Sequence, residues 1–358
     1  QGGRATANNN IDLIWVVPNG KEIGTLQSRF KQQVAAPLSR SYGIDIDAYF
    51  IHEKHLRRLP CLVMLYDIKF GHRVIAGHPD VLTENIAYTV EDILPSDMRN
   101  LMVNRATLLL LNQWLLQQFQ RQQPHSAEVP QALFDRVIKH TTKAIIGYGD
   151  ALLFSQGDYH WSYTEKERLM GVQVNLPVTL RSLYSQAIRY RFDPVDFDLQ
   201  GLGILQRSPE ALAQWQQALL QFFSQWHLAY ENWRMQSDSK DWNNYAERTL
   251  CHAFSAENSH RGVVLRKVKH FVRNQSPSQC VSWKARLGLK VSEPASALSA
   301  IFPFVAYTHR RPHFVNEQLL LKPGAAAESV LARYLQCWGS YLDPSLISKM
   351  REWEICAQ

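Results

Sequence analysis

Two short stretches, Ile11–Val17 (IDLIWVV) and residues 44–51 (IDIDAYFI), decide the fold. The first is rich in β-branched and aromatic residues and stops at Pro18-Asn19-Gly20, a turn signal, so it reads as a strand. The second alternates with period two: Ile44, Ile46, Ala48 and Phe50 share one face, and Asp45, Asp47 and Tyr49 share the other. Between them, residues 21–38 carry Ile23, Leu26, Phe30 and Val34 three or four apart, which predicts a helix. A strand, a helix and a second strand therefore open the chain. Residues 62–70 and 73–75 read as two further short extended pieces around Gly71, closing at Gly77-His78-Pro79.

From Pro95 onward the periodicity becomes helical. Helices are expected over residues 95–121, with Ser96-Asp97 near the cap, from Pro130 to about residue 154, and over Pro209–Met235. Shorter ones are expected near residues 244–254, 261–273, 295–307, 326–341 and 345–353. The loop-rich stretch 192–208 is the best internal boundary. Trp215, Trp226 and Trp233, all on the long helix, read as packing residues. This organisation divides the chain into residues 1–94, 95–200 and 201–358.

Composition narrows the function. The 358 residues carry a formal charge of +7 and 46% hydrophobic side chains, a globular composition. No window approaches the ~18 to 20 apolar residues of a membrane-spanning helix, since the run 108–116 is interrupted by Asn112 and Gln113, so no membrane role is expected. Five scattered cysteines without a CxxC pair fit neither a disulfide scaffold nor a thiolate zinc site, and a reducing cytoplasm is the expected compartment. The chain starts at Gln1 with no charged-then-apolar leader, so a signal peptide is not expected. There is no GxxxxGK[ST] loop, no GxGxxG after a strand and no GxSxG elbow. His52, His55, His72 and His78 lack HxxxH or HExxH spacing on a helix and are expected on loops.

Charge is unevenly distributed. Residues 260–313 hold ten Lys or Arg and one acid, Glu293, so this segment carries +9 and the remainder −2. A local excess of this size suits either a solvated helix face or a polyanion partner such as RNA or a phosphate-bearing acceptor.

At the other end, strand alternation gathers acids. Asn10 and Asp12 share one side of the first strand, and Asp45 and Asp47 share one side of the second. If the strands are neighbours, these polar groups meet. Carboxylates at such spacing are how two Mg²⁺ ions are held for in-line phosphoryl chemistry; alternating charge on a solvent-facing strand is the plainer account.

Gly2-Gly3, Asn10-Ile11-Asp12-Leu13, a helix, and the acidic strand Ile44-Asp45-Ile46-Asp47 together resemble the nucleotidyltransferase fold of polymerase β, minimal nucleotidyltransferases and aminoglycoside adenylyltransferases. YDIKFGHRVIAG, residues 66–77, is similar to the strand and turn that close the sheet in many members, and KAIIGYGDALLFSQGDY, residues 143–159, looks like a helix and turn of the helical domain that follows. The resemblance implies an α+β fold, a small mixed-sheet nucleotidyltransferase-like domain followed by a large all-α domain. It also implies metal-dependent transfer of a nucleoside monophosphate, AMP foremost, from a nucleoside triphosphate to a hydroxyl. Asp12, Asp45 and Asp47 would be the metal-binding and catalytic carboxylates, holding two Mg²⁺. Gly2, Gly3, Asn10 and Lys143 would contact the nucleotide, and Asp150 and Tyr159 would line the acceptor cleft. One departure matters: the family carries an acid where this chain has Asn10, which has no charge to offer a metal. A catalytically silent relative that binds nucleotide, RNA or a protein partner is the alternative.

Overall fold

The computed structural model describes residues 11–18, 23–44, 46–59, 61–194, 199–204, 206–243, 245, 248–249, 294–308, 315, 319 and 326–341. The chain divides into two compact units: residues 1–94 with 160–171 and 188–197, and residues 95–159 with 172–187 and 198–358.

In the first unit, β1 (Ile11–Val17) pairs in parallel with β2 (Ile46–His52). Parallel neighbours need a crossover, and the helical segment between them supplies it. It begins as α1 (Ile23–Phe30), passes through a π-helical turn, Lys31–Ala35, and ends as α2 (Ala36–Tyr42). Gly43 stops α2 at φ 66°, a left-handed conformation that costs glycine nothing, and its N–H bonds back to the Ser39 carbonyl at 2.9 Å. The Ser39 hydroxyl then accepts the Ile46 N–H at 3.1 Å, so the end of α2 sets where β2 begins.

Both sheet faces find partners. On one, Trp15 stacks on Phe50 with centroids 5.7 Å apart, and Phe30 of α1 meets both rings. On the other, Val16 and Ile51 pack against a core of Leu56, Leu82 and Ile86. Leu56 comes from α3 (Glu53–Leu56) and Leu82 from α5 (Val81–Asn85).

The expected extended pieces at 62–70 and 73–75 are a correction. Val63–Gly71 is a helix, α4, and residues 72–75 are irregular. The described residues thus form a two-stranded parallel sheet in place of a mixed one. Val63, Leu65, Tyr66 and Lys69 are the buried positions of α4, spaced three and four apart. The apolar run in this stretch is too dense for periodicity to separate strand from helix. Tertiary contact accompanies the helix: the buried Lys69 ammonium donates to the Tyr88 carbonyl at 3.0 Å and lies 4.8 Å from the Phe70 ring centroid.

The second unit is helical. Its long members are α6 (Pro95–Gln122), α7 (Gln131–Ser155) and α10 (Pro209–Met235), joined by α11 (Pro294–Ala306) and α12 (Ala327–Tyr341). Between α7 and α10 the chain forms α8 (Tyr163–Val172), nearly all of it in the first unit, and α9 (Val178–Phe192); the sequence reading named no helix at either place. Ser208 caps α10 by accepting the Ala211 N–H at 3.2 Å, with Pro209 in the first turn where its missing N–H is harmless. α6 packs against α7, α10, α11 and α12. A polar contact locks three of them: the Asn112 Nδ2 lies within hydrogen-bond reach of the Val137 carbonyl at 3.0 Å, Thr141 Oγ1 at 3.2 Å and Gln216 Oε1 at 3.0 Å, all buried, and shares its two hydrogens among them. On α10 the tryptophans are less uniform than expected. Trp215 donates to the Leu202 carbonyl at 3.0 Å, while Trp233 is 42% exposed.

Gly149 in α7 is required by a close approach. A Cβ there would stand 2.1 Å from Tyr184 Cδ2. The ring cannot swing away cheaply, because its hydroxyl donates to Asp150 at 2.6 Å in a buried site. Gly149→Ala is therefore expected to destabilise the fold by about 2 kcal/mol even after the helix-propensity gain of about 1 kcal/mol, as read by urea unfolding. An unchanged midpoint would show that the helices separate freely there.

His227 in α10 is fully buried, with Nδ1 sharing a 3.1 Å hydrogen bond with the Tyr307 hydroxyl, which in turn bonds Tyr148. Burial pushes its pKa from 6.5 down to about 4, Glu231 opposes this, and Arg99 and Arg234 reinforce it. Because the folded pKa lies below the unfolded one, stability is whole above pH 6.5 and lost progressively as pH falls to about 4. The full loss is about 3 kcal/mol. Urea midpoints measured from pH 7 to pH 4 should fall, and His227→Phe should flatten that part of the profile.

Candidate functional site

The parallel register places Asp12 opposite Asp47, and Ile14 opposite Tyr49 one step further along the same face. Alternation turns these side chains away from the Trp15–Phe50 face. Burial changes along this polar face. Asp12, Asp47 and Tyr49 are exposed at its N-terminal end, while Val16 and Ile51 are packed at its C-terminal end. The sheet thus presents two carboxylates and a phenol on one open end of one face. Like charges directly opposite one another disfavour pairing by a few tenths of a kcal/mol to about 1 kcal/mol. A divalent cation bound between them would turn that repulsion into attraction, since hard cations take oxygen ligands. Tyr49 reports the same field: partial burial first, then the charges of Asp47 and Asp12, hold its phenol above the ordinary value.

Of the residues expected in the site, the structure brings together Asp12 and Asp47. Asp45, Gly2, Gly3 and Asn10 lie outside the described residues, as do all ten basic residues of the 260–313 segment. Lys143, Asp150 and Tyr159 belong to the second unit. Lys143 is half-buried on α7, Asp150 accepts the Tyr184 hydroxyl, and Tyr159 is 4% exposed with its ring edge-on to Phe154 at 6.2 Å. Tyr49 was visible in the alternation of the second strand as a companion of the acids, and its place beside both carboxylates needed the register. Lys166, in the same unit as Asp12 and Asp47, gave no sequence signal. It is 1% exposed with its ammonium 4.3 Å from the Tyr163 ring centroid, and Arg191 stands 4.4 Å from that same ring.

Two other features have site-like chemistry and weaker geometry. His78, Asp80 and Glu84 bring ligand-type atoms within 4.8 Å of one another, all exposed. His78 Nδ1 accepts the Asp80 N–H at 3.3 Å, so the ring is partly engaged within its own turn. His52 is engaged similarly, accepting the Lys54 N–H at 3.2 Å. In the second unit an open groove of about 550 Å³ is lined by Glu128, Phe134, Gln206 and Arg207, with the Arg207 guanidinium laid over Phe134 at 4.3 Å. Its charged groups do not converge on a common point of attack.

No helix among the described residues is long and apolar enough to cross a membrane. No family model, no curated protein and no solved structure matches this chain.

Proposed function

We propose that the chain is a metal-dependent nucleotidyltransferase, moving a nucleoside monophosphate from a nucleoside triphosphate to a hydroxyl acceptor. The observation that carries the reading is the pairing of Asp12 with Asp47 at one register level of a parallel strand–helix–strand unit, on an exposed end of the sheet. Carboxylates held by adjacent strands are rigidly spaced, which is what a bridging divalent ion requires. Asp12 and Asp47 would hold Mg²⁺, which neutralises the triphosphate and polarises the phosphorus under attack. Asp47, or Asp45 beside it, would take the acceptor's proton. Gly2 and Gly3 would let backbone amides approach the phosphates, and Asn10 would complete the nucleotide contacts; Asp150 and Tyr159 are buried in the second unit and are not assigned to the acceptor. AMP is the foremost group transferred, and the basic segment 260–313 would receive a phosphate-bearing acceptor or RNA. The resemblance no longer includes a closing strand at 66–77, because residues 66–71 belong to the helix α4 and residues 72–77 form no strand.

Asn10 favours a second reading, a silent protein of this fold that binds nucleotide without turning it over. Incubation of the full chain with Mg²⁺ and labelled ATP separates the two. Pyrophosphate release supports transfer; nucleotide binding without release supports the silent form; neither binding nor release sinks both.

A further inference from the structure

Resting on the nucleotidyl-transfer reading, we infer that the Tyr49 hydroxyl is itself an acceptor, so that the chain attaches a nucleoside monophosphate to its own second strand. Tyr49 stands two residues beyond Asp47 on the same face and one register step from Asp12 on the neighbouring strand. A phenol is longer than an aspartate side chain by most of a ring, and Tyr49 lies on the same face of the sheet as both carboxylates. The side chain is 49% exposed. The other large aromatics of this sheet are committed elsewhere: Trp15 and Phe50 stack on the opposite face with Phe30. An exposed phenol on the carboxylate side contributes little to the core.

The step balances without a further reactant. Tyr49 Oη attacks the α-phosphorus and forms a new O–P bond. The bond from that phosphorus to the bridging oxygen of the β-phosphate breaks, and pyrophosphate departs with the electron pair. The phenolic proton passes to the Asp47 carboxylate and then to solvent.

The experiment uses the full chain with Mg²⁺ and ATP labelled at either the α- or the γ-phosphate. Label from the α-position should stay with the denatured protein and label from the γ-position should not. Intact mass should rise by one nucleoside monophosphate, and peptide fragmentation should place it on Tyr49. Tyr49→Phe should lose at least nine-tenths of the label with an unchanged circular dichroism spectrum, and Asp47→Asn should lose it as well. Pyrophosphate release to an added hydroxyl acceptor with unlabelled protein, or label mapped to another residue, overturns self-modification and leaves nucleotidyl transfer standing. ATP that neither binds nor turns over overturns both.

Discussion

If the chain transfers nucleotidyl groups as proposed, replacing Asp47 with asparagine is expected to reduce Mg²⁺-dependent pyrophosphate release by at least about a hundredfold while leaving the fold as stable as before or slightly more so. The two halves of that expectation come from the same geometry. Asp47 sits opposite Asp12 on adjacent parallel strands, so removing one negative charge relieves a cross-strand repulsion of a few tenths of a kcal/mol to about 1 kcal/mol. Asparagine keeps the shape and an acceptor oxygen, so strand packing has no reason to change. The loss falls on chemistry: a metal held by one charged ligand fewer is bound more weakly and stabilises less of the charge developed at phosphorus, an electrostatic loss of the size seen when a transition-state contact is removed. Asp12→Asn should behave alike, and the double variant should be little worse than either single one, because the two residues would act as one site. A purely structural pair gives the opposite pattern. Unchanged turnover together with a raised unfolding midpoint in Asp47→Asn would retire the metal-site reading.

Glu231→Gln is expected to cost about 3 to 5 kcal/mol of folding stability, the usual consequence of removing one partner from a buried ionic group. Glu231 is 0% exposed on α10 and accepts from Arg234, Nη2 to Oε2 at 2.6 Å. Arg234 also donates to Thr249 at 2.8 Å, and Arg99 of α6 donates to the same hydroxyl at 3.3 Å. Two guanidiniums therefore share the surroundings of one carboxylate. Burial opposes the charge of Glu231, but Arg234 and Arg99 together outweigh it and hold its carboxyl below the ordinary range. Burial also lowers Arg99, with the Arg234 charge adding to the effect. Glutamine preserves volume, so a loss of this size would measure charge and not a cavity. The exposed pair Glu165–Arg168 is the internal control, and Glu165→Gln should leave the urea midpoint where it was. A buried variant as mild as the exposed one would mean that water reaches the α6–α10 contact.

Several long helices of the second unit could be read almost to the residue, though α9 could not. Pro209–Met235 has the bounds its amphipathic pattern gave, and the helix starting at Pro95 ended one residue beyond its expected limit. These segments are long and periodic, and their caps are local, so sequence neighbours carry nearly all the information. Parts of the first unit were not legible in this way. Residues 62–70 offered apolar positions to either period, and the helix is accompanied by a contact with Tyr88, nineteen residues from the Lys69 it receives. The buried ionic group was equally silent, since Arg99 and Thr249 stand 150 residues apart.

For the candidate site, the sequence by itself determined that Asp45, Asp47 and Tyr49 share a face of one strand and that Asp12 opposes the apolar face of another, because side-chain direction in a strand follows from pleating alone. It had no means of choosing a register, since any even shift preserves every face. Only the tertiary structure decided that Asp12 meets Asp47 and that Tyr49 lies one step beyond. The physical reason lies in the contacts that anchor the two strands: Trp15 on Phe50 across the sheet, Val16 and Ile51 in one apolar core, and Ser39 holding the first amide of β2. Those contacts join residues distant in sequence, and together they admit one alignment of the carboxylates.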